Sequence, residues 1–182
     1  MHHSVQIVSF ASSPQMISVT IHGVDGILIV SFVYASVFYI TLRHLWRGLV
    51  QISDYIDHNW MVIGDFNTIL RPKEKLGPYF SRAAAVDFAS CLDQYDLSEV
   101  SIVGADFTWG RYTVNGRQAS KLDRCFSHMG GGGSPVLSGF TLPKLNSDHN
   151  PLVVELRERV QRPSPLPFRF SNAWLTIPGC RE

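Results

Sequence analysis

The chain has 182 residues, of which 45% are hydrophobic and 17% charged, and its formal net charge is +1. That length and composition fit one globular domain with a buried core and exclude a disordered or low-complexity chain. The near-neutral balance excludes a bulk positive field for nucleic acid, so affinity for a polyanion must come from a local patch or a bound metal.

Val5 to Phe10 and Met16 to Ile21 are short apolar runs separated by the turn signal Ser12-Ser13-Pro14. Gly23 to Gly26 makes the next turn and Ile27 to Tyr34 a third strand, so the chain opens as an antiparallel meander. The uncharged stretch Ile27 to Leu42 is shorter than the ~20 residues of a membrane span, and its β-branched and aromatic content reads as a buried strand entering a helix. Leu42, Leu45, Trp46, Leu49, Ile52 and Ile56 recur at helical spacing, which predicts an amphipathic helix over 41–57.

Trp60 to Phe66 is a near-continuous apolar run, the pattern of a strand covered on both faces. Pro72 to Pro78 reads as loop. Ser81 is placed to cap a helix with Ala85, Phe88, Ala89, Leu92 and Tyr95 along one stripe. Phe107 to Val114 and Arg117 to Phe126 flank Asn115-Gly116, a dipeptide suited to the positive φ angles of a type I′ hairpin turn. Gly130 to Gly133 reads as a flexible linker, Leu152 to Leu156 as the last strand, and Pro163 to Pro167 as the end of the compact part. Residues 1–160 are therefore expected to form one domain, and 161–182 a Pro-rich tail. The mixture of hairpins and interleaved helices predicts an α/β sandwich with mixed or antiparallel sheets. No Gly-rich strand-to-helix turn supports a doubly wound nucleotide fold.

Cys91, Cys125 and Cys180 are odd in number and lack metal-ligand spacing, so they read as reduced thiols of an intracellular protein. The first ten residues carry no secretory leader pattern. Nothing points to a membrane or to an obligate protein partner.

Three short elements carry chemistry. Asp65 and Asn67 close the Trp60 run at i and i+2 spacing, which in extended chain puts both side chains on one side. A carboxylate there can take a proton from water while a carboxamide donates to a phosphoryl oxygen; a strand-ending Asx-turn is the structural alternative. Asp148 and His149, in Ser147-Asp148-His149-Asn150-Pro151, offer a metal-binding carboxylate and an imidazole able to stabilise developing charge; a proline-ended polar turn is the alternative. Asp123, in Lys121-Leu122-Asp123-Arg124, lies in an apolar run where a carboxylate needs a partner, either a histidine ring or Arg124.

Together these elements resemble the endonuclease/exonuclease/phosphatase superfamily, the fold group of DNase I, with wording most similar to plant LINE-type retroelement endonuclease domains. The segments that carry the resemblance are Val30–Ser36 (VSFVYAS), Trp60–Asn67 (WMVIGDFN), Phe107–Trp109 (FTW), Lys121–Arg124 (KLDR) and Ser147–Leu152 (SDHNPL), in the family's order, and it spans about residues 4–175. It implies a DNase I-like four-layered sandwich and a magnesium- or manganese-dependent phosphodiesterase of retroelement origin that acts on DNA, nuclear in location. Asp65 would deprotonate the attacking water, Asn67 contact the scissile phosphate, His149 stabilise charge and Asp123 hold its ring. Asp148 would lie at the metal site and Tyr34 touch the phosphate, or else be a half-buried strand tyrosine. Trp109 is expected in the core.

The resemblance also implies an N-terminus that lacks the family's first strands. One of these bears an asparagine and the next the principal glutamate ligand of the metal, so metal binding is expected to be weakened. Asp25, Asp54 and Asp57 sit in a turn or at a helix end and do not substitute. The alternatives are a catalytically silent relic that at most binds nucleic acid, and a phosphatase on the same fold.

Overall fold

The computed structural model describes residues 6–23, 26–53, 56, 59–114, 116–128 and 136–157. Asn115, the Gly130–Gly133 linker, Cys180 and the tail at 161–182 lie outside them. The described elements are β1 (Gln6–Ser13), β2 (Met16–Gly23), β3 (Gly26–Tyr34), α1 (Tyr39–Ser53), β4 (Asn59–Asp65), a 3-10 turn (Pro72–Glu74) and β5 (Lys75–Leu76). They continue with α2 (Arg82–Gln94), β6 (Ser98–Glu99), β7 (Ile102–Val103), β8 (Trp109–Thr113), β9 (Gly116–Ser120), β10 (Asp123–His128), β11 (Val136–Thr141) and β12 (Leu152–Arg157).

The expected meander is present, with β1–β2 and β2–β3 antiparallel. Strand β4 then joins β3 in parallel, and α1 is the crossover between them. The large mixed sheet has the order β1-β2-β3-β4-β10-β6, and two three-stranded sheets follow, β12-β11-β7 and β5-β9-β8. An α/β sandwich with mixed and antiparallel sheets is thus what the chain forms.

Alternation along the central strands feeds two cores. Val62 and Phe126 pack toward the helices with Leu42, Leu45, Trp46, Leu49 and Phe88, whereas their neighbours Met61 and Cys125 face β11 and β12 with Val30 and Val100. The helix-side core centres on aromatic rings: Trp46 stacks on Phe88 at 4.8 Å, and Phe66 meets Phe126 edge-on at 5.2 Å.

Four local expectations are revised. Helix α1 covers 39–53 rather than 41–57. The buried stripe of α2 is Ala84, Ala85, Phe88 and Cys91, so the helix is rotated and Ala89 and Leu92 are only half-buried; the Ser81 cap is where the sequence places it, accepting from the Ala84 N–H. The return strand expected over 117–126 is two strands. The chain leaves β9 at Ser120, and after Lys121 and Leu122 it joins the large sheet as β10. Register also moves the hairpin turn: Thr113 pairs with Gly116, whose φ of 99° makes it the left-handed first residue of β9.

Candidate active site

Three of the residues singled out in the sequence form a row across adjacent strands. Tyr34 on β3 is in register with Asp65 on β4, and Asp65 with Asp123 on β10. The pleat puts all three on the same face as Val30, Met61 and Cys125, at the end of the sheet beyond the second core. Gly64 permits the closeness of β3 and β4 here. Its φ is 144°, and a Cβ at this position would sit 2.0 Å from the Val33 carbonyl oxygen, so the residue before Asp65 has no room for a side chain.

Asn67 joins the row by a turn and not by strand alternation. The strand stops at Asp65, and Asn67 has a φ of 46°, left-handed geometry that asparagine tolerates. Its N–H donates to Asp65 Oδ1 at 2.8 Å, so the Asx-turn and the convergence with Asp65 coexist. Both hydrogens of the Asn67 amide are committed, one to the Ala35 carbonyl at 2.7 Å and one to Asp65 Oδ2 at 3.0 Å.

His149 closes on this row from another segment. Its Nδ1 lies 2.8 Å from Asp123 Oδ2, so Asp123 takes the histidine and not Arg124 as its partner. The histidine is held in turn by residues outside the candidate set. Thr108 is 2% exposed; its hydroxyl accepts from the N–H groups of Leu122 at 3.0 Å and Asp123 at 2.9 Å, and its carbonyl accepts from Asn150 N at 2.6 Å. Trp109 is corrected from core to site: it is only partly buried, and its indole N–H donates to Asp148 Oδ2 at 2.8 Å. The Asp148 carbonyl accepts from Gly110 N and from the Lys144 ammonium. Thr108, Trp109 and Gly110 thus form a template that fixes the Asp123 and Asp148–His149 segments together. The FTW motif was visible in the sequence, but only the fold shows these bonds.

Electrostatics separates the carboxylates. Burial pushes the Asp65 carboxyl above its ordinary value, and the nearby negative charges of Asp123 and Asp148 add to the rise, against the opposing N–H of Asn67 and the His149 ring. The Trp109 indole holds the Asp148 carboxyl below its ordinary value. Beneath the row, Arg124 is fully buried and pairs with Glu74 and with Glu99, the latter at 2.8 Å, while Lys121 also reaches Glu99 at 2.7 Å. Burial pushes Glu99 up, but Lys121 and Arg124 outweigh it and leave its carboxyl lowered. Burial drives the thiols of Cys91 and Cys125, both free, up to about 12, which disfavours the reactive thiolate.

A polar cavity of about 390 Å³ opens beside Asp123 and Thr108, with Arg71, Lys73 and Lys121 among its walls. Among the described residues no group of three His, Cys, Asp or Glu side chains is arranged to hold a metal ion. Nor is any helix among them long and apolar enough to cross a membrane.

No protein-family model matches the sequence, and no curated protein matches it. Solved structures do match the fold. The endonuclease domain of TRAS1, a telomere-specific non-LTR retrotransposon, superposes with a TM-score of 0.66 at 14% identity, covering 85% of this chain and 68% of that one. The 3′ phosphatase NExo from Neisseria, bound to a product DNA hairpin, gives 0.56 at 14% identity, covering 85% of this chain and 72% of that one. An endonuclease/exonuclease/phosphatase family protein from Leptotrichia buccalis gives 0.50 at 15% identity, with 85% of this chain and 61% of that one covered. The chain therefore has the DNase I-like fold of endonucleases, exonucleases and phosphatases.

Proposed function

We propose that this chain is a metal-dependent phosphodiesterase of retroelement type, akin to plant LINE endonucleases, that cleaves DNA by attack of an activated water on phosphorus. The reading is supported above all by the convergence of Asp65, Asp123 and His149 from separate strands and loops onto one end of the large sheet.

Asp65 takes a proton from the attacking water, a role suited to a carboxyl whose basicity is raised by burial. As the water oxygen bonds to phosphorus, the ester P–O bond breaks and the departing oxygen is protonated from solvent. Protonation of Asp65 releases its hold on the Asn67 amide, which then donates to a non-bridging oxygen. His149, kept in one orientation by Asp123, donates to the phosphoryl group as negative charge builds, and Tyr34, 74% exposed, reaches the same group. Of the candidate residues, the Asp148 carboxylate would hold a magnesium or manganese ion, and with no three-ligand group among the described residues that hold would be weak. The ion would supply Lewis-acid polarisation of the phosphoryl oxygen.

The test is nicking of supercoiled plasmid. Nicking is expected to require magnesium, to stop with EDTA, and to vanish in Asp65→Ala and in His149→Ala; nicking that persists in both variants overturns the roles. A second reading, a catalytically silent relic that binds DNA, is favoured by the lack of a three-ligand metal cluster among the described residues. Robust turnover by the isolated chain rules it out.

A further inference from the structure

Immediately beyond Tyr34, the chain displays large apolar side chains to solvent on a hydrogen-bonded stretch of backbone. Val37 is 70% exposed, Phe38 72% and Ile40 77%. Isolated exposed apolar residues are ordinary, but three within four positions at the start of a helix form a patch of the kind that marks an interaction site.

The segment is braced on every side. The Phe38 N–H donates to the Ser36 hydroxyl at 3.1 Å, and the Phe38 carbonyl accepts the Leu42 N–H at 2.8 Å. Gln15, 8% exposed, ties it to the β1–β2 turn: its side chain accepts from Ser36 N at 2.7 Å and donates to the Thr41 carbonyl at 2.9 Å. Tyr39 is drawn away to Asp87, 3.0 Å from its hydroxyl, which leaves Val37, Phe38 and Ile40 as the free side chains. The backbone that carries them is already hydrogen-bonded, so the ordering cost left to a ligand is that of the side chains.

The patch is tied to the candidate active site through the backbone of Ala35. The Ala35 carbonyl accepts the Asn67 amide, and the Ala35 N–H donates to the Asp65 carbonyl at 2.8 Å. Phe38 follows Tyr34 by four residues, at most ~14 Å of chain, or about four base steps along a DNA strand. With a formal charge of +1 the chain has no bulk positive field, so affinity for DNA has to come from local contacts, and an apolar platform can supply some of them.

We propose that Val37, Phe38 and Ile40 form a platform for the DNA strand flanking the scissile phosphate, with Phe38 stacking on a base and the aliphatic neighbours packing on sugar. The inference rests on the nuclease reading for the identity of its ligand, and it is tested by binding rather than by cleavage.

The measurement is affinity of the full chain for a fluorescent single-stranded oligonucleotide, across a salt series and without divalent ion, for wild type, Phe38→Ser and Val37→Ser/Phe38→Ser/Ile40→Ser. Stacking on one aromatic ring corresponds to a loss of roughly 5- to 150-fold. Phe38→Ser is expected to bind at least about fivefold more weakly and the triple variant weaker still, with the slope of log affinity against log salt unchanged, because no phosphate contact is lost. Thermal melts equal to wild type certify folding; these side chains are outside the core, and Phe38→Leu, which keeps an apolar surface, provides a second probe expected to lose stacking only. Affinity unchanged in both serine variants overturns the platform. So does loss of a concentration-dependent dimer in the variants without loss of oligonucleotide affinity, which reassigns the patch to contact between copies. Wild type that binds in this way yet never nicks plasmid removes the nuclease reading and keeps the platform; wild type with no oligonucleotide affinity removes the platform.

Discussion

Replacing Arg124 by methionine tests the foundation on which the Asp123 row stands. The guanidinium has no exposed surface, and it pairs with Glu74, whose side chain is 11% exposed, and with Glu99, at 32%. Glu74 is itself wired into the chain: its carboxylate accepts the Leu70 N–H at 2.8 Å, and its carbonyl accepts the Lys121 N–H at 2.9 Å. Methionine fills much of the volume but leaves the Glu74 carboxylate in a poorly solvated place without its cation. Breaking a buried pair from one side costs about 3–5 kcal/mol, and for a domain of this size that corresponds to a fall of roughly 6–20 °C in melting temperature. The pH dependence follows from Glu99, whose folded pKa is lowered below its unfolded value. A lowered carboxyl contributes stability that is present above the unfolded pKa and is lost as pH falls through the folded one. The gap between wild type and Arg124→Met should therefore be widest near neutral pH and narrow below about pH 4, where unfolded glutamate is protonated. Calorimetry from pH 3 to 8 checks both parts. A variant melting within 2 °C of wild type at pH 7, or a gap that widens toward acid, refutes the reasoning.

Two further outcomes follow from the site. The general-base role requires Asp65 ionised, and its carboxyl is raised, so nicking should rise with pH through a midpoint above the ordinary aspartate value of about 3.9; a pH–rate profile flat down to pH 4 contradicts the role. Thr108→Val removes the acceptor of two backbone N–H groups at nearly constant shape, which should cost about 1–3 kcal/mol and several degrees of melting temperature while depressing nicking. Thr108→Ser should restore both, and a valine variant with wild-type melting and nicking removes the template from the account.

Much of the architecture was legible because burial leaves a periodic mark. The run at Trp60–Phe66 is apolar at consecutive positions because Met61 and Val62 enter different cores, and the heptad-like spacing from Leu42 to Ile52 is the inner face of α1. The break between β9 and β10 was not legible. Gln118 to Phe126 contains no Gly, Pro or Asn to mark a break, and the division at Lys121-Leu122 comes from its two halves joining different sheets. The α2 stripe was misplaced for a related reason: with alanines at 83, 84 and 85, the sequence does not say which of them faces inward. Asp65, Asn67, Asp123 and His149 were legible as polar residues at strand ends. Thr108, Trp109 and Lys144 were not, because their bonds run to backbone groups or to a carboxylate dozens of positions away.

That difference explains how the site keeps its shape. Tyr34, Asp65 and Asp123 are aligned by sheet register, and a sheet protects register by burying one face. His149 and Asp148 have no such protection: they come from the loop before β12, and Ser147 and Asp148 are exposed. Their position is imposed by the start of β8 and the residue before it, through the Thr108 carbonyl, the Trp109 indole and the Gly110 N–H. Strand β8 in turn takes its register from β9, where Trp109 pairs with Ser120 and Thr113 with Gly116. A slip of one residue in that hairpin would turn the Trp109 indole to the opposite face and away from Asp148. The left-handed glycine at the hairpin turn, far along the strand from any candidate catalytic group, thereby helps decide whether the imidazole meets Asp123.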